Sequence, residues 1–317
     1  MKKIASFAAT LALLGAAWAP AHAETKVSLG MSGWTGFAPL TLAKEAGLFK
    51  KHGLDVTIVK VPQASRHLAI ASGDIQCAAT TVETWLVWNA SGVETREIFQ
   101  LDKSYGADGM VVRNDISTIA DLKGKTVAAS APGTAPYFTL AWFLHKNGLS
   151  VKDVKVVNME PGPAAQAFLA GQNDAAMTYE PYLSTVREKP DAGKIIATTL
   201  DYPMIMDTVG CTPKFLEENP EAAKALAEGY FDALAYIETN KDEAYKIMGA
   251  DVKQSAEEFG KSAAYLRWQG REENKKFFSG ELKAFSEEAA ALLKEIGTIK
   301  KIPDIDKIID KSVVGAD

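Results

Sequence analysis

One six-residue phrase occurs twice in the chain, about a hundred residues apart. Ala78-Ala79-Thr80-Thr81-Val82-Glu83 and Ala175-Ala176-Met177-Thr178-Tyr179-Glu180 both read A-A-x-T-x-E. Each follows a helical pattern that stops at glycine, Ala69-Ile70-Ala71-Ser72-Gly73 in one case and Ala167-Phe168-Leu169-Ala170-Gly171 in the other. Helix, glycine stop and short apolar strand thus bring a threonine and a glutamate to the strand's carboxyl end, once in each half. In open α/β sheets ligands bind outside those carboxyl ends. Two such ends facing each other make a two-jawed cleft with a carboxylate on each jaw.

The flanking pattern agrees with two α/β units. In the first, the strand Val27–Met31 leads to a helix from about Pro39, with Leu40, Ala43, Ala46 and Gly47 on one stripe, which stops at Gly53. Val56–Val59 is a strand, Ser65 is placed to cap a helix running to Gly73, and Ile75–Thr80 is a third strand. The pattern restarts with strand Thr126–Ala129, a helix carrying Leu140, Phe143 and Leu144, and strand Val154–Val157. The second repeat and strand Lys194–Ala197 follow, and beyond Pro220 the chain reads as mostly helical. Repeated β-α-β implies parallel, doubly wound sheets. Two extended stretches, Gly109–Arg113 and Met206–Cys211, are placed to carry the chain between units. The expected division is lobe one at 24–109 and 208–317, lobe two at 110–207, with a hinge at the paired crossings.

Residues 1–23 read as an export segment: Lys2-Lys3, the apolar run Ile4–Trp18, then Ala21-His22-Ala23 as a cleavage pattern. Removing Lys2 and Lys3 from the 35 basic residues leaves 33 against 40 acidic ones, a formal charge of −7. That balance argues against a nucleic-acid footprint. Cys77 and Cys211 are far apart without C-x-x-C spacing. Cys77 is expected to be a buried thiol, although an oxidising compartment permits a disulfide. His52, His67 and His145 have no ligand spacing to a cysteine or to each other, so neither a metal nor a cofactor is expected.

Several segments resemble the periplasmic solute-binding proteins of ABC importers, in the nitrate/sulfonate/taurine branch. These are Leu42-Ala43-Lys44-Glu45-Ala46-Gly47-Leu48-Phe49 with Gly53-Leu54-Asp55-Val56, Ala71-Ser72-Gly73-Asp74-Ile75 and Asp121-Leu122-Lys123-Gly124-Lys125. Tyr179-Glu180-Pro181-Tyr182 and Phe215-Leu216-Glu217-Glu218-Asn219-Pro220 also fit, in the same order. The resemblance implies an α/β, type II two-lobed periplasmic binding fold. It also implies a small-molecule ligand in the cleft, delivery to an ABC permease in the inner membrane, and a monomer in the periplasm.

The candidate cleft is assembled from loop and strand ends. Trp34, Thr35 and Phe37 follow the first strand; the aromatics either stack on a planar or cationic ligand or plug the lobe surface. Thr81 and Glu83 end the first repeat, and Glu83 is equally suited to the first turn of the next helix. Ser104 and Asp108 lie just before the first crossing. Gly133, Thr134 and Ala135 open a helix whose N-terminus is either an anion seat or simply capped by Thr134. Tyr179 and Glu180 end the second repeat. Asp207 sits in an apolar stretch, where a buried carboxylate needs a partner.

Glu83, Asp108, Glu180 and Asp207 are four acids against one nearby base, Lys103. Crowded carboxylates raise one another's pKa unless a cation joins them. The expected ligand therefore bears an amine, amidine or amino-heterocycle, as a cation or a zwitterion. The alternative is a sulfonate or other organic anion at Gly133-Thr134. A periplasmic sensor, or an enzyme of the same fold such as thiamine-pyrimidine synthases, is the alternative of another class. Without a nucleophile–base pair, P-loop or dinucleotide fingerprint, binding rather than catalysis is the expectation.

Overall fold

The computed structural model describes residues 24–316, so the expected export segment lies outside the described residues. Among the described residues eleven strands form two sheets. In chain order they are β1 (Thr25–Met31), β2 (Leu54–Lys60), β3 (Cys77–Thr81), β4 (Arg96–Ser104), β5 (Asp108–Val112) and β6 (Thr126–Ala129). They continue with β7 (Lys155–Asn158), β8 (Ala175–Tyr179), β9 (Lys194–Thr198), β10 (Met206–Cys211) and β11 (Leu266–Trp268). The first sheet has the order β11-β4-β10-β3-β1-β2 and the second β7-β6-β8-β5-β9.

Set side by side, the two orders are the same device used twice. β3 lies between parallel β1 and antiparallel β10; β8 lies between parallel β6 and antiparallel β5. The repeated phrase therefore occupies the same central strand of both sheets. Its glycine stops are also equivalent: Gly73 and Gly171 both have φ +82°, a left-handed conformation that costs glycine nothing. The architecture is a two-lobed α/β fold. Each sheet is mixed, because the strand that enters a lobe from the other one runs against its neighbours.

That strand placement differs from the expected crossings. Gly109–Arg113 falls largely in β5, inside the second sheet, and Met206–Cys211 is β10, inside the first. The chain passes between sheets just before each of them, after β4 and after β9. Backbone pairing explains the shift, since a segment bonded along its length to one sheet cannot also be the flexible crossing. Two smaller differences lie in the first helices. Gly47 (φ +69°) splits the first into Ala38–Glu45 and Leu48–Lys51. The next begins at Gln63, so Ser65 sits in its first turn, donating to the Pro62 carbonyl rather than capping.

The cores explain why the two lobes form one body. One apolar cluster fills the first sheet's face beneath the helices Pro220–Thr239 and Lys241–Asp251. A second contains Trp85, Leu86 and Trp88 of the first lobe, Phe138 and Trp142 of the second, and Leu292 and Leu293 of the helix Leu282–Glu295. Burial shared across lobes at roughly 25 cal/mol per Å² holds them against each other.

Cys77 is not a free thiol. It pairs in register with Cys211 across β3 and β10, and the two form a disulfide with a sequence separation of 134. The enclosed loop contains β4 through β9, hence the whole second sheet. A Cys77→Ser/Cys211→Ser double variant is expected to lose about 2–5 kcal/mol of unfolding free energy. Urea titration checks this; an unchanged midpoint would show that the staple adds nothing to lobe attachment.

Candidate ligand-binding site

The two copies of the phrase meet at one cavity but do not present the same side chains to it. The cavity is lined by Ser32, Trp34, Phe37, Gln63, Arg66, Thr81, Asp108, Ala135, Tyr179, Ile205 and Asp207. It measures about 20 Å³, room for one water molecule. From the first copy Thr81 reaches it; from the second, Tyr179 does. Thr178, the counterpart of Thr81, instead donates to the Pro161 carbonyl at 3.0 Å. Trp34 and Tyr179 meet edge to face across the cleft, ring centroids 5.2 Å apart.

Of the residues expected at the site, Trp34, Phe37, Thr81, Asp108, Ala135, Tyr179 and Asp207 line the cavity. Six do not. Thr35 is buried with its hydroxyl unpartnered. Glu83 lies behind Thr81, whose hydroxyl donates to it, at the start of the helix Val82–Ala90. Ser104 bonds the Thr199 hydroxyl at 2.6 Å and accepts from the Asp108 amide at 3.1 Å, pinning the two crossings to each other. Gly133 (φ +89°) packs on the first lobe, where an added Cβ would lie 3.0 Å from Val87. Thr134 turns its hydroxyl to the Ala131 carbonyl at 2.7 Å. Glu180 pairs with Arg187 at 2.7 Å and accepts the Ser184 amide at 3.1 Å.

Four lining residues, Ser32, Gln63, Arg66 and Ile205, and the adjoining Asp102 were not among the expected residues. Arg66, 1% exposed, spends three N–H groups on the Val61 and Ala79 carbonyls. Two of the guanidinium's five N–H groups then remain for the cavity. Arg66 replaces Lys103 as the cation of the site, because Lys103 turns outward to Glu281 at 3.2 Å. The available signal was helical spacing: Arg66 and Ile70 are the buried residues of the helix Gln63–Ser72, four apart on one stripe. Gln63, from the same first turn, reaches across the cleft to Ala135. Asp102 lies opposite Asp207 in the β4–β10 ladder and accepts from Trp34 Nε1 at 3.3 Å.

Charge is what distinguishes this centre. Asp102, Asp108, Asp207 and Glu83 are all at most 4% exposed, and each has one oxygen that finds no N–H or hydroxyl donor. Burial pushes Glu83 and Asp108 up to about 7 and Asp102 to about 8. Burial and then Asp102 drive Asp207 well above the carboxylate range, so a proton held on Asp207 serves both members of that pair. Glu97, on the Trp85–Thr208 hydrogen-bond chain away from the cavity, is pushed to about 8 by burial. Burial lowers Arg66 to about 10, which leaves it charged at neutral pH. Among the described residues no group of three or more His, Cys, Asp or Glu side chains is placed to hold a metal ion.

Residues 34–244 match the family model described as NMT1/THI5 like, which is about two thirds of the chain. The chain belongs to the NMT1/THI5-like family. It is 29% identical over 213 residues to the taurine-binding periplasmic protein of Escherichia coli, covering 64% of this chain and 62% of that one. A putative aliphatic sulfonates-binding protein of Bacillus subtilis is 26% identical over 287 residues, 87% and 84% of the two chains. The solved alkanesulfonate-binding protein SsuA from Xanthomonas axonopodis pv. citri, bound to MOPS, superposes with a TM-score of 0.76. Its identity is 19%, with 91% of this chain and 98% of that one covered. The fold is therefore that of a periplasmic binding protein, and these relatives are named for binding taurine or sulfonates.

The raised carboxyls set the pH dependence of stability. Glu83, Glu97 and Asp108, and the Asp102–Asp207 pair as a unit, hold protons in the folded protein that the unfolded chain, titrating near 3.8 or 4.5, has already released. Stability from these groups is full below about pH 4 and is lost as pH rises through 7 to 8. The melting temperature of the solute-free protein is expected to fall from pH 5 to pH 8.5. Asp102→Asn should flatten that fall, removing on the order of 2 kcal/mol of the accompanying loss in unfolding free energy. Calorimetry across that range checks it; a profile that rises from pH 5 to 8.5 would mean the acids are ionised without strain.

Proposed function

We propose that this protein is the solute-binding component of an ABC importer, working in the periplasm as a monomer and handing its ligand to an inner-membrane permease. The lobes we propose are 24–104 with 206–316, and 105–205, closing on the ligand about the two crossings. The ligand we propose is a small zwitterion. Its ammonium or amidinium lies between Asp108 and Asp207, its acidic group meets the two spare N–H groups of Arg66, and Trp34, Phe37 and Tyr179 wall its carbon frame.

The observation that carries this reading is one cavity lined by a buried guanidinium and by two buried carboxyls with donorless oxygens. A buried charge is tolerated when paired. A zwitterion supplies both partners at once, whereas a simple anion leaves the acids uncompensated. The resemblance to a taurine-binding protein supports the reading, since taurine joins an ammonium to a sulfonate. A second reading, an organic sulfonate without an amine, is favoured by the relatives named for sulfonates. It also uses Arg66, but it leaves the acid pair without a role.

Isothermal titration with taurine, ethanesulfonate and ethylamine separates the readings. The zwitterion is expected to bind at least tenfold more tightly than either single-charge probe. Asp207→Asn should weaken it on the order of a hundredfold while the solute-free protein stays folded, because one buried charge pair is lost. Ethanesulfonate binding as tightly as taurine would remove the amine from the proposal and leave the sulfonate reading.

A further inference from the structure

Gln63 joins the two lobes through a single side chain. Its Nε2 donates to the hydroxyls of Thr80 at 2.8 Å and Thr84 at 3.0 Å in the first lobe. Its Oε1 accepts the Ala135 amide of the second lobe at 3.1 Å. The amide orientation follows from the partners, because the Ala135 N–H can only donate and so needs the oxygen. Ala135 is the first residue of the helix Ala135–Lys146, which has no side-chain cap of its own because the Thr134 hydroxyl goes to Ala131. Pro136 has no N–H to offer. The second-lobe helix thus borrows its cap from the first lobe. Gly133, beside it, brings the backbone close enough that a Cβ would meet Val87 of the first lobe at 3.0 Å.

The same contact stands where a ligand must pass. The cavity bounded by Gln63 and Ala135 measures about 20 Å³, room for about one water molecule and for no larger solute. Any organic solute therefore displaces part of the lining. Arg66 is held by three hydrogen bonds, and Thr81 and Asp207 are fixed in adjacent strands. Gln63 is half-buried at a helix start, and of the lining side chains it is the one whose hydrogen bonds span both lobes.

We propose that Gln63 is an interlobe clasp: its carbonyl caps the second-lobe helix when the cleft is closed, and an entering solute's acidic group takes over the Ala135 amide. The hydrogen bonds of the clasp are observed; the opening and closing on which it acts, and its competition with solute, rest on the function proposed above.

The test uses dialysed protein without added solute, so a failure of the ligand assignment does not affect it. Gln63→Ala is expected to lower the closed-to-open ratio about fivefold, the effect of losing one typical helix cap. Small-angle X-ray scattering should show a larger radius of gyration, and the Ala135 amide proton should exchange faster by NMR. Gln63→Glu keeps an acceptor on Ala135, and the threonine hydroxyls can donate to it, so both readouts should stay near wild type. Unchanged scattering and unchanged Ala135 exchange in Gln63→Ala would overturn the clasp. So would a Gln63→Glu variant as open as Gln63→Ala, since the acceptor would then not be what closes the lobes.

Discussion

The structure depends on a local excess of buried acid over buried base where two sheets meet. Asp102 and Asp207 lie opposite each other on β4 and β10, Asp108 begins β5, and Glu83 stands behind Thr81. Against them the cavity has Arg66. Ionising so many carboxyls away from water is expensive, so they keep protons that ordinary carboxyls would have lost. A fold selected for stability alone would place apolar side chains there. The disulfide, the shared apolar cluster and the Ser104–Thr199 pin all surround this strained centre. They are the features that let it exist within a stable protein.

Much of the architecture was legible because it is written in local pattern. Helix, left-handed glycine and short strand recur with the same spacing, and the two copies became the equivalent strands β3 and β8. What local pattern does not contain is which strand comes back. β10 returns from the second lobe to lie beside β3, and that return pairs Cys211 with Cys77 and Asp207 with Thr81 and Asp102. Both the disulfide and the acid pair are products of that one non-local pairing. The same ignorance misplaced the crossings, since β5 and β10 look like connectors until their neighbours are known.

The site was half legible for a related reason. Residues at strand ends, such as Thr81, Asp108 and Tyr179, are announced by the α/β rule that ligands sit outside carboxyl termini. Arg66 and Gln63 belong to the first turns of a helix, where a charged or amide residue ordinarily faces water. Only the burial of one helix stripe against the cleft turns Arg66 inward. Glu180 shows the opposite error. Its place in the repeat is equivalent to Glu83, yet Arg187 and the Ser184 amide satisfy it from its own lobe and the Ser262 hydroxyl reaches it from the other, away from the cavity.

Relatedness establishes family and fold but not chemistry, because a few side chains in a shared cleft decide what is bound. In this cleft the decisive property is that acid and base are present together and both are buried. An anion alone gains from Arg66 but leaves Asp207 and Asp108 protonated and without a partner. A cation alone gains from the acids but faces Arg66. A solute with both ends satisfies each partner and lets the acids give up protons that burial had forced on them. Under the proposed function, capture of such a solute is linked to proton release, and the strain in the centre of the doubled phrase is what selects for it.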